Sequence, residues 1–346
     1  MENKKAAAKK KISIIFDVTH KCPHNCQICC MGATLQGRPT ELSFKDKMDV
    51  VAKVKELKEN GYDVRVDLSG GEIFTNIEDH KKLIKAFSKA IGKENLGISC
   101  SGSFMTDELA EFLKKFVADV EMTMDTLPDE DYEYRPKSYA KKAAEALIPL
   151  KKAGVKIGIQ TVVTKSNCSQ EQSKKMYDWL CKKEVDEWSI LKFMPFGRGE
   201  DYKEAEMTDS ECEKFVEMIR KMDKENRSKK KPKIDFSYMM PGQEKYNGLC
   251  RCVRHSIGIL PDGEITSCFW AVNRDSEIMY SKFKLGNVKW SSLLEILKNE
   301  RKWSFREHEC ELCKAKVKYQ HTKEETDKKL TKIAEKETKK ETKKVL

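Results

Sequence analysis

Residues 12–29 read Ile12-Ser13-Ile14-Ile15-Phe16-Asp17-Val18-Thr19-His20-Lys21-Cys22-Pro23-His24-Asn25-Cys26-Gln27-Ile28-Cys29, an apolar run followed at once by three cysteines. The first part, Ile12 to Val18, alternates and predicts a buried β-strand. The C-x3-C-x2-C spacing then folds three thiolates onto one small loop at that strand's C-terminal end, where barrel enzymes keep their chemistry. A [4Fe-4S] cluster normally takes four protein thiolates, so a local set of three leaves one iron open to another ligand. Zinc is the competing reading, with His20 or His24 as the fourth donor.

Outward from this run the chain repeats a strand-then-helix unit. Apolar spacing predicts helices over 43–60, 77–91, 106–116, 140–153 and 170–183, and strands over 64–68, 96–100, 120–124, 155–163 and 188–194. Such alternation predicts parallel strands joined by right-handed crossovers. Six units suit an open barrel, so the expected fold class is α/β, a partial (β/α)6 TIM-like barrel with a small C-terminal α+β cluster-binding domain. The expected boundaries are a Lys-rich tail over 1–11, the barrel over 12–199, a helical link over 200–245, the second domain over 246–313 and a Lys/Glu-rich tail over 314–346.

The chain has 346 residues and a formal net charge of +11, which raises the question of nucleic acid. Residues 1–11 carry +4 and residues 314–346 carry +6, leaving the body near +1. Charge confined to the ends reads as solvated tails, so a nucleic-acid partner is not expected. There is no apolar run of membrane length and no signal-peptide pattern, and a soluble, cytoplasmic protein is expected with no membrane partner. Thirteen cysteines then argue for metal ligation in a reducing compartment rather than a disulfide framework.

Gly70-Gly71-Glu72 follows the second strand directly. Two glycines allow close backbone approach to a ligand, and the carbonyl groups and the acid can accept hydrogen bonds from an ammonium. The three-cysteine loop with Gly-Gly-Glu in register resembles the radical S-adenosylmethionine (SAM) superfamily. That resemblance implies that Cys22, Cys26 and Cys29 hold a [4Fe-4S] cluster whose fourth iron chelates SAM, and that Gly70, Gly71 and Glu72 hold the methionine amino group. Ser101 at the end of the third strand and Thr123 at the end of the fourth resemble further SAM-lining segments, although Cys100-Ser101 and Thr126 depart from the family's residues. Arg135 resembles the arginine that pairs with the SAM carboxylate, a good match of guanidinium to carboxylate. Ile159 to Thr164 with Asn167, and Leu191 to Gly199, resemble the fifth and sixth strands.

In the C-terminal part, Ile259 to Ile265 alternate around Asp262-Gly263 as a hairpin does, between Cys250 and Cys268. With Phe283 to Val288, the helix 291–297 and the closing Cys310-Glu311-Leu312-Cys313, this resembles the auxiliary-cluster domain called SPASM, or twitch when shortened. The resemblance implies a second [4Fe-4S] cluster on Cys250, Cys268, Cys310 and Cys313, with Cys252 as the alternative to Cys250. Four thiolates could also close around zinc.

A radical SAM enzyme is therefore expected, which cleaves SAM reductively and removes hydrogen from an unactivated C–H bond. The catalytic residue that acts on substrate is not readable. A closed second cluster could take up an electron and make the reaction an oxidation or cross-link, whereas a free Cys250 or Cys252 could donate a hydrogen atom in an epimerisation. The substrate is expected to be a ribosomally made peptide or a small metabolite, with flavodoxin or ferredoxin as electron donor. Only eleven residues precede the first strand, so peptide recognition would fall to a partner protein. The alternative function is a non-enzymatic iron-sulfur or zinc protein whose basic tails bind nucleic acid.

Overall fold

The computed structural model describes residues 10–228, 230–237, 240, 252–253 and 255–299. Chain order gives β1 (Lys10–Asp17), α1 (Phe44–Glu59), β2 (Tyr62–Ser69), α2 (Ile77–Ile91), β3 (Leu96–Cys100), α3 (Asp107–Phe116), β4 (Asp119–Thr123), α4 (Tyr139–Ala153), β5 (Lys156–Val163), α5 (Gln170–Lys182) and β6 (Glu187–Lys192). These are the six expected strand-helix units, with the last unit's helix being α6 (Asp209–Glu225). Capping residues set the helix starts: Ser43 with Asp46 and Thr208 with Glu211 form capping boxes at α1 and α6, satisfying backbone donors that the first turn leaves open.

Beyond α6 come β7 (Lys233–Phe236), β8 (Ser256–Ile259), β9 (Glu264–Thr266), β10 (Lys284–Asn287) and α7 (Leu293–Lys298). All the strands lie in one sheet, in the order β10-β9-β8-β1-β2-β3-β4-β5-β6-β7. Pairing is parallel from β8 across to β7 and antiparallel within β8-β9-β10. The sheet is an open, partial barrel, as expected. One placement differs from the expectation. The stretch read as a helical link contributes β7, a seventh parallel strand beside β6. The C-terminal hairpin adds β8 to the free side of β1, pairing Ser13 with Ser256 through Phe16 with Ile259.

Alternation along the strands divides the sheet into two faces. Ile12, Ile14 and Phe16 of β1, Val64, Val66 and Leu68 of β2, and Val120 and Met122 of β4 join the core under the helices, where Phe16 meets Phe87 of α2 edge-on at 6.3 Å. The other face carries Asp17, Arg65, Asp67, Ser99, Asp119 and Glu121, and much of it lines a cavity of about 360 Å³. A parallel sheet is normally buried and apolar on both faces. Charge on this concave face therefore marks it for a ligand rather than for packing.

Among the described residues no helix is long and apolar enough to cross a membrane.

Candidate functional site

Chain leaving β1 turns at once into the three-cysteine loop, which short backbone bonds hold in shape. Cys22 N–H donates to Thr34 O at 2.7 Å, Thr34 N–H to His20 O at 3.0 Å and Cys29 N–H to Cys26 O at 3.3 Å. Cys22 and Cys26 are buried and Cys29 is half-buried. Burial pushes the Cys22 thiol up to about 12, and the neighbouring Cys26 and Cys29 thiols and the Glu72 carboxyl push the same way. Cys26 is likewise raised by burial, with the Arg135 guanidinium opposing. Cys26 and Cys29 are near enough to Cys22 to oppose its ionisation, and as thiolates the three would need a cationic partner. The donor set fits a cluster with one protein ligand missing. His24 does not complete a zinc site: its Nε2 lies 3.1 Å from Ser101 Oγ and 3.0 Å from Ser103 Oγ. Among the described residues no group of three or more His, Cys, Asp or Glu converges as a single-ion site would require.

Gly70 and Gly71 lie against the backbone that leads into this loop. Gly71 N–H donates to Thr19 O at 2.7 Å and Glu72 N–H to Lys21 O at 2.8 Å. A Cβ on Gly71 would sit 2.5 Å from Lys21 O, and one on Gly70 2.6 Å from Thr19 O; Gly70 also has φ +144°. Both positions thus need glycine so that the end of β2 can press on the cysteine loop. The sequence suggested close approach to a ligand; the structure adds close approach to the loop itself.

Glu72 is 1 % exposed, and its carboxyl collects three donors: Ser101 N–H at 2.8 Å, the Ser101 hydroxyl, and Phe74 N–H at 3.1 Å. Burial raises its pKa while these hydrogen bonds oppose the shift. Ser101 in turn contacts His24 of the cysteine loop, so one hydroxyl joins the ends of β2 and β3 to the loop. Burial and the nearby Lys142 and Arg135 cations lower His24 to about 4, which keeps the ring neutral at physiological pH.

Arg135 follows β4 and reaches back over the same space. Its Nε donates to Asp125 Oδ2 at 2.6 Å, with both side chains nearly buried, and its guanidinium lies over the Tyr139 ring at 5.3 Å. Asp125 is held by Val162 N–H at 2.7 Å, and Asn167 Nδ2 donates to Asp125 O at 3.1 Å and Val162 O at 3.0 Å. Asn167 therefore ties the turn after β5 to the β4 end. Thr123 closes β4, paired with Gln160.

One contributor was not legible in the sequence. Arg198, in the turn after β6, donates from Nε to Cys26 O at 2.9 Å and from Nη1 to Ala33 O at 2.6 Å, while its N–H donates to Cys29 O at 3.0 Å. Gly197 before it has φ +58°, and a Cβ there would sit 2.3 Å from Cys30 O. The only signal available was the Gly-Arg-Gly of residues 197–199, which does not reveal a target 172 residues earlier.

Of the later cysteines, Cys250, Cys310 and Cys313 lie outside the described residues. Cys252 and Cys268 share a buried apolar cluster with Ala271 and Phe283. A neighbouring cluster of Met31, Leu260 and Val272 packs against Cys29 and Cys30, so the hairpin region abuts the three-cysteine loop directly.

Comparison with known proteins agrees with this geometry. The family model for the radical SAM superfamily matches residues 16–212, and that for an iron-sulfur cluster-binding domain, SPASM, matches residues 250–315. No curated protein of similar sequence was found. Among solved structures, SuiB of Streptococcus suis bound to S-adenosylmethionine superposes with a TM-score of 0.63 at 16% identity, over 83% of this chain and 65% of that one. SuiB bound to the precursor peptide SuiA gives 0.67 at 16% identity, over 88% and 70%. Native anSMEcpe with bound AdoMet gives 0.65 at 19% identity, over 88% of both chains. At these identities the likeness is one of fold.

Proposed function

The chain belongs to the radical SAM superfamily, is an enzyme that uses SAM with a [4Fe-4S] cluster and an auxiliary iron-sulfur cluster, and from that premise we propose that it modifies a peptide. When bound, cluster and SAM together supply a 5′-deoxyadenosyl radical that removes a hydrogen atom from a substrate C–H bond; the chain's own part is to bind, orient and exclude water. Cys22, Cys26 and Cys29 are assigned to the SAM-binding cluster. Gly70, Gly71, Glu72, Ser101, Thr123 and Arg135 are assigned to SAM. Asp125 engages Nε of Arg135 and the guanidinium also reaches the Cys26 thiol, which sets a group suited to a carboxylate beside the cysteine loop. The observation that carries the assignment is the pressing of Gly70 and Gly71 onto residues 19–21, which sets the second strand end beside the three thiols.

Cys268 is assigned to the auxiliary cluster together with Cys310 and Cys313. Cys250 is assigned as the remaining ligand, with Cys252, which shares a buried cluster with Cys268, as the alternative. Four thiolates would close that site to substrate, and the reaction we assign is accordingly an oxidation or oxidative cross-link. Peptide as substrate is supported by the fold shared with SuiB, solved with its precursor peptide, and with anSMEcpe, solved with a peptide. A ferredoxin or flavodoxin is the expected electron donor.

Anaerobic reconstitution should give about eight irons, four per cluster, and a SAM-dependent change in one EPR signal. Short peptides encoded beside the gene should then raise 5′-deoxyadenosine formation and lose mass in hydrogen units. Formation of 5′-deoxyadenosine stimulated by small metabolites but by none of these peptides would overturn the peptide assignment.

A further inference from the structure

The loop that carries Cys22, Cys26 and Cys29 is gripped by the segment that follows β6. Ile28, between two of the cysteines, is buried in one cluster with Phe193 and Ala205, which lie before and at the end of the short 3-10 helix Gly197–Ala205. Gly197 brings that helix against the loop's backbone, since its Cβ would stand 2.5 Å from Cys29 O and 2.3 Å from Cys30 O. Apolar packing and the glycine contact dock the segment without any charge. Arg198 adds a cation to this junction.

Backbone carbonyls take most of its donors. Its N–H donates to Cys29 O at 3.0 Å, Nε to Cys26 O at 2.9 Å and Nη1 to Ala33 O at 2.6 Å. Nη2 is buried and, among the described residues, has no acceptor. A buried N–H without a partner costs free energy, and such an orphan in a folded protein marks the place of a group that is still to bind. Among the described residues no carboxylate pairs with this guanidinium. Arg135 differs in that respect: it too reaches Cys26, at the thiol, but Asp125 at 2.6 Å balances its charge. Arg198 therefore leaves a net positive charge at the loop.

Distance decides whether that charge matters. Nε is 2.9 Å from Cys26 O, and a carbonyl oxygen lies within about 5 Å of its own residue's sulfur, so guanidinium and sulfur are about 8 Å apart or closer. At that separation and an effective dielectric constant of about 20, a unit charge changes an equilibrium roughly thirtyfold. Salt screens a partly buried pair little. We propose that Arg198 is a positioning residue for the SAM-binding cluster, which fixes the loop through three carbonyls and favours the cluster's reduced state with its unbalanced charge. Reduction adds one electron to a group already held by three thiolates; iron is reduced, a ferredoxin, flavodoxin or dithionite donor is oxidised, and no bond at Arg198 forms or breaks. A nearby cation lowers the cost of that electron. The inference rests on the assignment of the three cysteines to the radical SAM cluster.

The test is an EPR-monitored redox titration of the reconstituted full chain with dithionite, following the signal that responds to SAM. Arg198→Met and Arg198→Gln remove the charge and should each lower the equilibrium constant for reduction at least about tenfold, a shift of about 59 mV for one electron. Arg198→Lys keeps the charge without the planar fork and should return more than half of that shift. The auxiliary cluster in the same samples should keep its wild-type potential, and iron content and circular dichroism report assembly and folding. Should only wild type and Arg198→Lys retain the SAM-responsive signal, the charge is needed at the cluster, which supports the proposal. Wild-type potentials in both neutral variants overturn it. A shift in Arg198→Lys as large as in the neutral variants, or loss of the signal from all three, also overturns it and leaves Arg198 a clamp on carbonyls alone. A wild type with no SAM-responsive signal overturns the radical SAM reading and this inference together, whereas a responsive wild type whose potential ignores Arg198 overturns this inference only.

Discussion

The rim at the C-terminal strand ends and the concave floor beneath it handle buried carboxyls in opposite ways. On the rim, Glu72 gathers three donors and Asp125 is closed by Arg135 and Val162 N–H. On the floor, among the described residues, Asp17 has only the Ser69 hydroxyl beside it, and Glu121 has the Gln160 amide and the Ser189 hydroxyl but no cation. The rim also tolerates no added atom, because Gly70, Gly71 and Gly197 sit against backbone oxygens, whereas the floor opens into a cavity. A surface that closes its own hydrogen bonds is built to hold its shape, and one that leaves them open is built to receive something. The rim holds its shape; the floor keeps charged side chains around a cavity.

Substitutions should separate the two regions, beginning with the most severe. Cys26→Ala removes one of the three thiols, so about half of the roughly eight irons should be lost on reconstitution, with 5′-deoxyadenosine formation falling to background. Arg135→Met strands Asp125 without its partner in the interior and should cost about 3–5 kcal/mol in urea unfolding, much of it returned in the double variant with Asp125→Leu. Gly71→Ala drives a Cβ into Lys21 O and should cost about 1–3 kcal/mol. Intact stability in either of the last two would show that the rim yields, and the contrast with the floor would fail.

The floor should respond in the other direction and with pH. Burial raises the Asp17 carboxyl from 3.8 to about 8, the Ser69 hydroxyl opposing. The folded chain keeps this proton where the unfolded chain has released it, so the contribution is full below 3.8 and is lost as pH rises through about 8. Asp17→Asn removes that loss. In the cluster-free protein it should be more stable than wild type by at least about 1 kcal/mol at about pH 9, with the gap closing at acid pH. A variant that is destabilised at both ends of the range would make Asp17 part of the scaffold after all.

Much of the rim was legible because its signals are local. Cys22, Cys26 and Cys29 fall within one loop, and Gly70-Gly71-Glu72 abuts a strand whose alternation is plain. The six helix and strand pairs follow from apolar periodicity, which reports burial against neighbours in the same unit. β7 escaped because Lys233-Ile234-Asp235-Phe236 sits in a Lys-rich stretch, where charge masks a short parallel strand. Arg198 escaped because its partners are carbonyl oxygens, which carry no sequence signature. The joining of β8 to β1 escaped because a strand's pattern says which face is buried and not which neighbour it will take.

The sequence alone determined the chemistry available: three thiols on one loop, two glycines before a glutamate, and a further cysteine set with a hairpin between. Spacing decides these, since a short loop holds its ligands together whatever the rest of the chain does. Only the tertiary structure decided that Glu72 serves Ser101, that the hairpin packs on the cysteine loop, and that Asp17 and Glu121 fall on one face of the sheet. Those facts depend on register between strands far apart in the chain, where a single residue's slip would turn Asp17 from the floor into the core.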